Sequence, residues 1–180
     1  MRKIIGNIIL ALFIVFQSAY PKSNPERIVF IALDGISIEG LQKARTPNID
    51  RLMHEGSYSL KTRVVMPSVT LPNWTSHLTG SGPEQHGVTD NGWTIDKHVL
   101  PAVEKDDKGY YPSVFKILKD QVRGIQIGFY YNWENLIYPY NRSYLDEVSF
   151  LEDDAYTGNF DRAFEFIRKN REKPTFVFLY

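Results

Sequence analysis

Residues 28–35 read Ile-Val-Phe-Ile-Ala-Leu-Asp-Gly. The unbroken apolar run Ile28–Leu33, stopped by the turn pair Asp34-Gly35, predicts a strand covered on both faces. Outward from it, Thr46-Pro47 predicts a helix start, with Thr46 as N-cap and Pro47 in the first turn. Ile49, Leu52 and Met53 form its inward stripe, and Gly56 closes it. Ser59–Val65 alternates enough to predict a second strand. A short helix is expected over Pro72–Leu78, stopped at Gly80, and another over Ser113–Leu118 with Val114, Ile117 and Leu118 on one face. Ile125–Tyr131 reads as a third strand. Phe160–Arg171 reads as a helix with Phe160, Phe164 and Ile167 as its stripe, and Thr175–Tyr180 as an apolar, β-rich run. Strands alternating with helices imply an α/β fold, a mostly parallel sheet flanked by helices that places ligands at the carboxyl ends of its strands.

Composition narrows the function. The 180 residues carry 21 Lys+Arg against 21 Asp+Glu, so the formal net charge is zero. Polyanion binding rests on clustered basic residues that neutralise phosphates, so no nucleic-acid polymer is expected as a partner. A hydrophobic content of 43% is too high for a disordered chain. With no cysteine present, a disulfide framework, a thiol nucleophile and thiolate metal ligands are excluded, and any metal must be held by oxygen and nitrogen.

Residues 1–20 have a basic start, Arg2-Lys3, and an apolar run over Ile4–Phe16 of signal-peptide length, with Ser18 and Ala19 offering a cleavage site. They predict an exported protein, periplasmic or extracellular, whose only membrane attachment would be an uncleaved signal segment. Residues 21–180 then form the folded part. The sequence stops at Tyr180 on an apolar strand, and a fragment of a longer domain is expected.

Three positions carry chemistry. Asp34 stands at the mouth of the most hydrophobic early strand, where a carboxylate is costly without a cation nearby. Thr70 comes directly before a predicted helix, where free N–H groups and the positive end of the helix dipole suit phosphoryl oxygens. Asn91 lies in the Gly-rich polar stretch Gly80–Gly92, long enough to be a functional loop. Singly, each has a plain reading: a turn residue, an N-cap and a turn pair.

Together, VFIALDG (29–35), TPNIDRLMHEG (46–56) and MPSVTLPNWTSHLTGSGPEQHGVTDN (66–91) resemble the type I phosphodiesterase/nucleotide pyrophosphatase family of the alkaline phosphatase superfamily. The resemblance implies an alkaline-phosphatase-like fold and a two-metal hydrolase, with two divalent ions, zinc by preference, acting on a small-molecule phosphoester. It implies that Asp34 is a metal-ligating carboxylate. Thr70 would be the nucleophile, its oxygen also held by a metal, and Asn91 the side chain that grips the phosphoryl oxygen with a backbone N–H at the nucleophile. The family's further ligands, beginning with an Asp and a His four residues later, follow a strand like TFVFLY.

Other residues have quieter readings. His77 could be drawn as a general base but is expected to be structural, and His86 is expected to brace the loop. No pair of the four histidines has the i,i+4 spacing of a helical zinc site. Asn73-Trp-Thr75 and Asn141-Arg-Ser143 fit the glycosylation sequon, a pattern common by chance. Trp74, Trp93, Tyr130, Tyr131 and Trp133 are candidates for stacking on an aryl group, with one or two expected in the pocket. The runs 104–108 and 152–154 read as solvated loops. A sulfatase is excluded because no C/S-x-P-x-R run occurs, and a haloacid-dehalogenase phosphatase is disfavoured because position 36 is Ile instead of a second Asp. A ligand-binding protein without catalysis and a phosphonoacetate-hydrolase-like enzyme are the alternatives.

Overall fold

The computed structural model describes residues 27–152 and 156–180; the expected signal segment, 1–20, and residues 153–154 of the second acidic run lie outside them. Four strands, β1 (Arg27–Ile31), β2 (Gln126–Tyr131), β3 (Glu147–Phe150) and β4 (Thr175–Leu179), form a wholly parallel sheet in the order β1-β4-β2-β3. Between β1 and β2 come helices α1 (Ile38–Lys43), α2 (Pro47–Glu55), α3 (Thr70–Thr79), α4 (Pro83–His86) and α5 (Val114–Gln121). Helix α6 (Tyr156–Lys169) joins β3 to β4.

The register explains the two-sided core. Ile127 and Phe129 pair with Phe176 and Phe178, and these side chains share one face with Phe30 and Ala32. That face packs against Leu71 and Leu78 of α3 and Phe115 of α5. Phe129 and Phe178 stack with centroids 4.8 Å apart, and Phe115 meets Phe129, Phe176 and Tyr140 edge-on at 5.5–5.9 Å, arrangements that add to simple area burial. On the opposite face Tyr130, Val177 and Leu179 pack against Ala163 and Phe166 of α6. Gly128 is required there, because an added Cβ would lie 2.7 Å from the Tyr130 ring.

Several expectations are corrected. The strand at 28–31 is not covered on both faces: it is an edge strand, and Val29 and Ile31 are 44% and 52% exposed. Ser59–Val65 forms no strand; its Val65 N–H donates to Asn73 Oδ1 at 2.9 Å, and the segment becomes a wall of the cleft described below. The α2 stripe is not buried, and Leu52 is 63% exposed. In α5 it is Phe115 that is buried while Ile117 is exposed.

In α6, Phe160 and Phe164 are exposed, and Asn159, Ala163, Phe166 and Asn170 are buried along this segment. The reason is polar pairing: Asn159 Nδ2 donates to Tyr131 O at 2.9 Å, its Oδ1 accepts from Ser149 Oγ at 2.8 Å, and Asn170 Nδ2 donates to Phe166 O at 3.0 Å. Hydrogen-bonded asparagines can be buried, and the bonds of Asn159 to Tyr131 and Ser149 turn this side of the helix toward the sheet.

The 104–108 run is only partly solvated. Asp106 accepts from the N–H groups of Lys108 and Tyr110 and from Asn141 Nδ2 at 2.7–3.0 Å. Burial pushes its carboxyl up, but these bonds prevail and hold it below its usual value. Asn141 is itself buried, so its sequon is spent on packing.

Candidate functional site

The carboxyl ends of β1, β2 and β4 converge, as the parallel topology requires. Ala32 N–H extends the β1–β4 pairing by donating to Leu179 O at 2.8 Å, which brings Asp34 beside Tyr180. Asp34 Oδ1 accepts from Gly35 N–H at 2.8 Å, and Oδ2 accepts from the Tyr180 hydroxyl at 3.3 Å. Gly35 makes the turn at φ +70°, a conformation that favours glycine. Burial, followed by the charge and hydrogen bond of Asp34, pushes the Tyr180 hydroxyl up to about 12. Asp34 itself is exposed, and no basic side chain among the described residues lies within ion-pair distance. Its exposure leaves the carboxylate hydrated and its Oδ atoms reachable from the cleft.

Thr70 is the first residue of α3, not the residue before it. Val69 is the N-cap, with φ −118° and ψ 163°, and makes no side-chain cap. The helix thus starts two residues ahead of the expected Pro72, which fits in the first turn because no N–H is needed there. Neither the Thr70 hydroxyl nor its N–H has a hydrogen-bond partner among the described residues. Leu71, Thr75 and Leu78 are buried at helical spacing, which anchors the opposite side of α3 and leaves Thr70 facing outward. Gly80 closes the helix in the left-handed conformation at φ +69°.

Asn91 supplies the missing cap. Its Oδ1 accepts from Leu71 N–H at 2.8 Å, which fixes the amide orientation and leaves Nδ2, the donor end, without an acceptor among the described residues. Leu71 N–H is therefore occupied, and Thr70 N–H is the free amide beside the hydroxyl. The Asn91 loop is held from behind: its carbonyl accepts from Asn135 Nδ2 at 2.9 Å, and Asp90 Oδ1 accepts from Gly92 N–H at 2.8 Å.

Further back, His86 is 1% exposed. Its Nδ1 accepts from Val88 N–H at 3.0 Å, so the proton is on Nε2 and donates to Ser76 Oγ at 3.0 Å, whose own hydrogen goes to Pro72 O at 2.8 Å. Burial lowers its pKa to about 4, against the opposing charge of Glu84. It is the brace expected of it.

Asp34, Thr70 and Asn91 line a single cleft of about 610 Å³ together with Arg63, Trp74 and His77. A second cleft of about 380 Å³ flanks Asp34 and is bounded by Asn132 and Tyr180. The sequence reading missed Arg63, hidden in a predicted strand, and Tyr180. A phenol closing an apolar strand parallel to β1 was the available signal for the latter. Asn73 is structural: its Oδ1 serves Val65 and its Nδ2 the carbonyls of Val69 and Pro67. His77 Nδ1 donates to Asn73 O at 2.8 Å and its ring lies 5.2 Å from that of Trp74.

Asp34 and Thr70 are hard oxygen donors of the right kind for zinc or another divalent ion, but only part of a four-coordinate set. Among the described residues no three His, Asp, Glu or Cys side chains cluster so as to hold a metal.

A parallel sheet with helices on both faces, and a cleft at its carboxyl edge offering a carboxylate, a free hydroxyl and a free amide, define an α/β protein of the alkaline-phosphatase-like class. The type I phosphodiesterase / nucleotide pyrophosphatase family matches residues 28–180, and the chain belongs to that family. It is 31% identical over 110 residues to ectonucleotide pyrophosphatase/phosphodiesterase family member 3 of Bos taurus and 32% over 111 residues to that of Mus musculus. Each alignment covers 58% of this chain and 13% of the relative. It is 39% identical over 95 residues to family member 1 of Homo sapiens, covering 52% of this chain and 10% of the relative. The chain thus aligns with only about an eighth of the first two relatives' length.

Proposed function

We propose that the protein is an exported, metal-dependent phosphodiesterase or nucleotide pyrophosphatase in which Thr70 is the nucleophile. The observation that carries this reading is the hydroxyl of Thr70, unpartnered at a helix N-terminus and sharing one cleft with Asp34 and the free amide of Asn91. Thr70 Oγ bonds to phosphorus, the bond to the leaving oxygen breaks, and the hydroxyl proton passes to water in the open cleft. A second water then cleaves the phosphothreonine and restores the hydroxyl. Asn91 Nδ2 and Thr70 N–H donate to the phosphoryl oxygens, whose charge is also favoured by the first turn of α3. Two divalent ions, zinc by preference, held in part by Asp34 and Thr70, supply Lewis acidity and a lower hydroxyl pKa when bound.

The test is hydrolysis of an aryl phosphodiester by the complete native gene product with zinc supplied. Thr70→Ala is expected to reduce turnover by at least about 10³-fold, the scale of deleting a nucleophile, and to abolish a phosphopeptide containing residue 70 in quenched digests. Turnover that survives the substitution refutes the assignment.

Export rests on the pattern of residues 1–20. N-terminal sequencing of the protein recovered from outside the cytoplasm is expected to begin near residue 20; an intact Met1 on a soluble cytoplasmic protein contradicts export.

A further inference from the structure

We propose that a partly enclosed chamber behind α3 is a resident-water site that braces the loop carrying Asn91. The chamber, about 110 Å³, lies between Thr75 of α3, His86 at the end of α4, Trp93 and Tyr111, and exposed His98 and Lys105 form its rim. Trp93 is 6% exposed, and its indole Nε1–H has no acceptor among the described residues. A buried N–H is almost always paired, with ordered water where protein supplies no acceptor.

His86 cannot serve, since both of its nitrogens are already engaged. Thr75 Oγ1 donates to Leu71 O at 2.7 Å and keeps its lone pairs, and the Tyr111 hydroxyl, paired with Ser81 Oγ at 2.9 Å, has capacity left. The buried Tyr140 hydroxyl lies against Thr75 and takes at most one of its two lone pairs.

A chamber lined only by apolar groups stays dry, but one with two to four polar partners hydrates, and at about 30 Å³ per molecule this one has room for about three waters. One water accepts from Trp93 and donates to Thr75, linking the loop to the helix. Trp93 stands two residues after Asn91, so this link carries directly to the amide that caps Leu71. Trp93 is thereby a positioning residue for the cleft on the other side of α3.

The test uses the full chain. A high-resolution crystal structure is expected to show a water oxygen within about 3.2 Å of Trp93 Nε1. Water-selective NMR is expected to show a cross-peak to one of the three indole N–H signals, the one that Trp93→Phe removes. In that variant the Leu71 amide is expected to exchange with solvent several-fold faster. A dry chamber, a protein acceptor on Nε1, or Leu71 exchange unchanged in a folded variant overturns the proposal. Should Trp93→Phe not fold, Thr75→Val deletes the acceptor at nearly constant size, and the same loss of water and faster Leu71 exchange are expected.

Discussion

The two ends of the Asn91 amide are separable. Its oxygen caps Leu71, its nitrogen has no acceptor among the described residues, and the proposed function gives that nitrogen to the phosphoryl group, so structure and chemistry can be tested apart by substitution. Asn91→Asp keeps an acceptor for Leu71 N–H, and its negative charge gains from the helix N-terminus by about 0.3–1 kcal/mol. It loses the donor and sets a carboxylate against the phosphoryl group. Thermal stability is therefore expected at or slightly above that of the native protein, while phosphodiester turnover falls about 10²–10³-fold, the scale of one lost oxyanion donor. Melting curves and steady-state kinetics on the complete gene product check both. A parallel fall in stability would mean that the capping oxygen is not its structural contribution.

Helix α6 separates pattern from packing at the level of an element. The apolar triplet 160, 164 and 167 has helical spacing, yet it lies on the flank and not at the centre of the buried face. Ala163 and Phe166 sit over Tyr130, Val177 and Leu179, and the centre of the face passes through two asparagines. Phe166→Ala is expected to cost about 3–5 kcal/mol as a large-to-small core change, and Phe164→Ala no more than about 0.5 kcal/mol as a surface one. Urea denaturation of the two variants distinguishes the observed rotation from the one that periodicity suggests, which exchanges the two values. The segment 59–65 carries a related lesson: alternation alone does not form a strand unless a sheet edge lies within reach, and here Asn73 takes the hydrogen bond.

For the molecule as a whole, stability is linked to pH through His86. Its folded pKa of about 4 lies below the ordinary 6.5, so between those values the unfolded chain binds a proton that the folded chain does not. By linkage, this contribution is full above pH 6.5 and is lost as pH falls toward 4, with a slope of up to about 1.4 kcal/mol per pH unit. Denaturation at pH 7, 5.5 and 4.5 is expected to show falling stability, and His86→Gln to flatten the profile over that window. An equally steep profile in the variant would assign the loss to other groups. Because His86 ties Ser76 of α3 to the loop at Val88, its protonation is expected to loosen the side of the molecule that bears Asn91.

The residues themselves determined the class of fold, the apolar runs 28–33, 125–131 and 175–180 within which three of the strands form, the three motifs of the family and the choice of Asp34, Thr70 and Asn91 as candidates. These are legible because apolar runs, cap and turn residues, and motif order are local properties of a chain. Which strand stands at an edge, which face of α6 is buried, that Thr70 begins α3 and that Tyr180 reaches Asp34 were decided only in three dimensions. Strand order and the pairing of buried polar groups depend on contacts between residues far apart in sequence, such as Asp34 with Tyr180 and Asn159 with Tyr131, and such contacts leave no periodic trace along the chain.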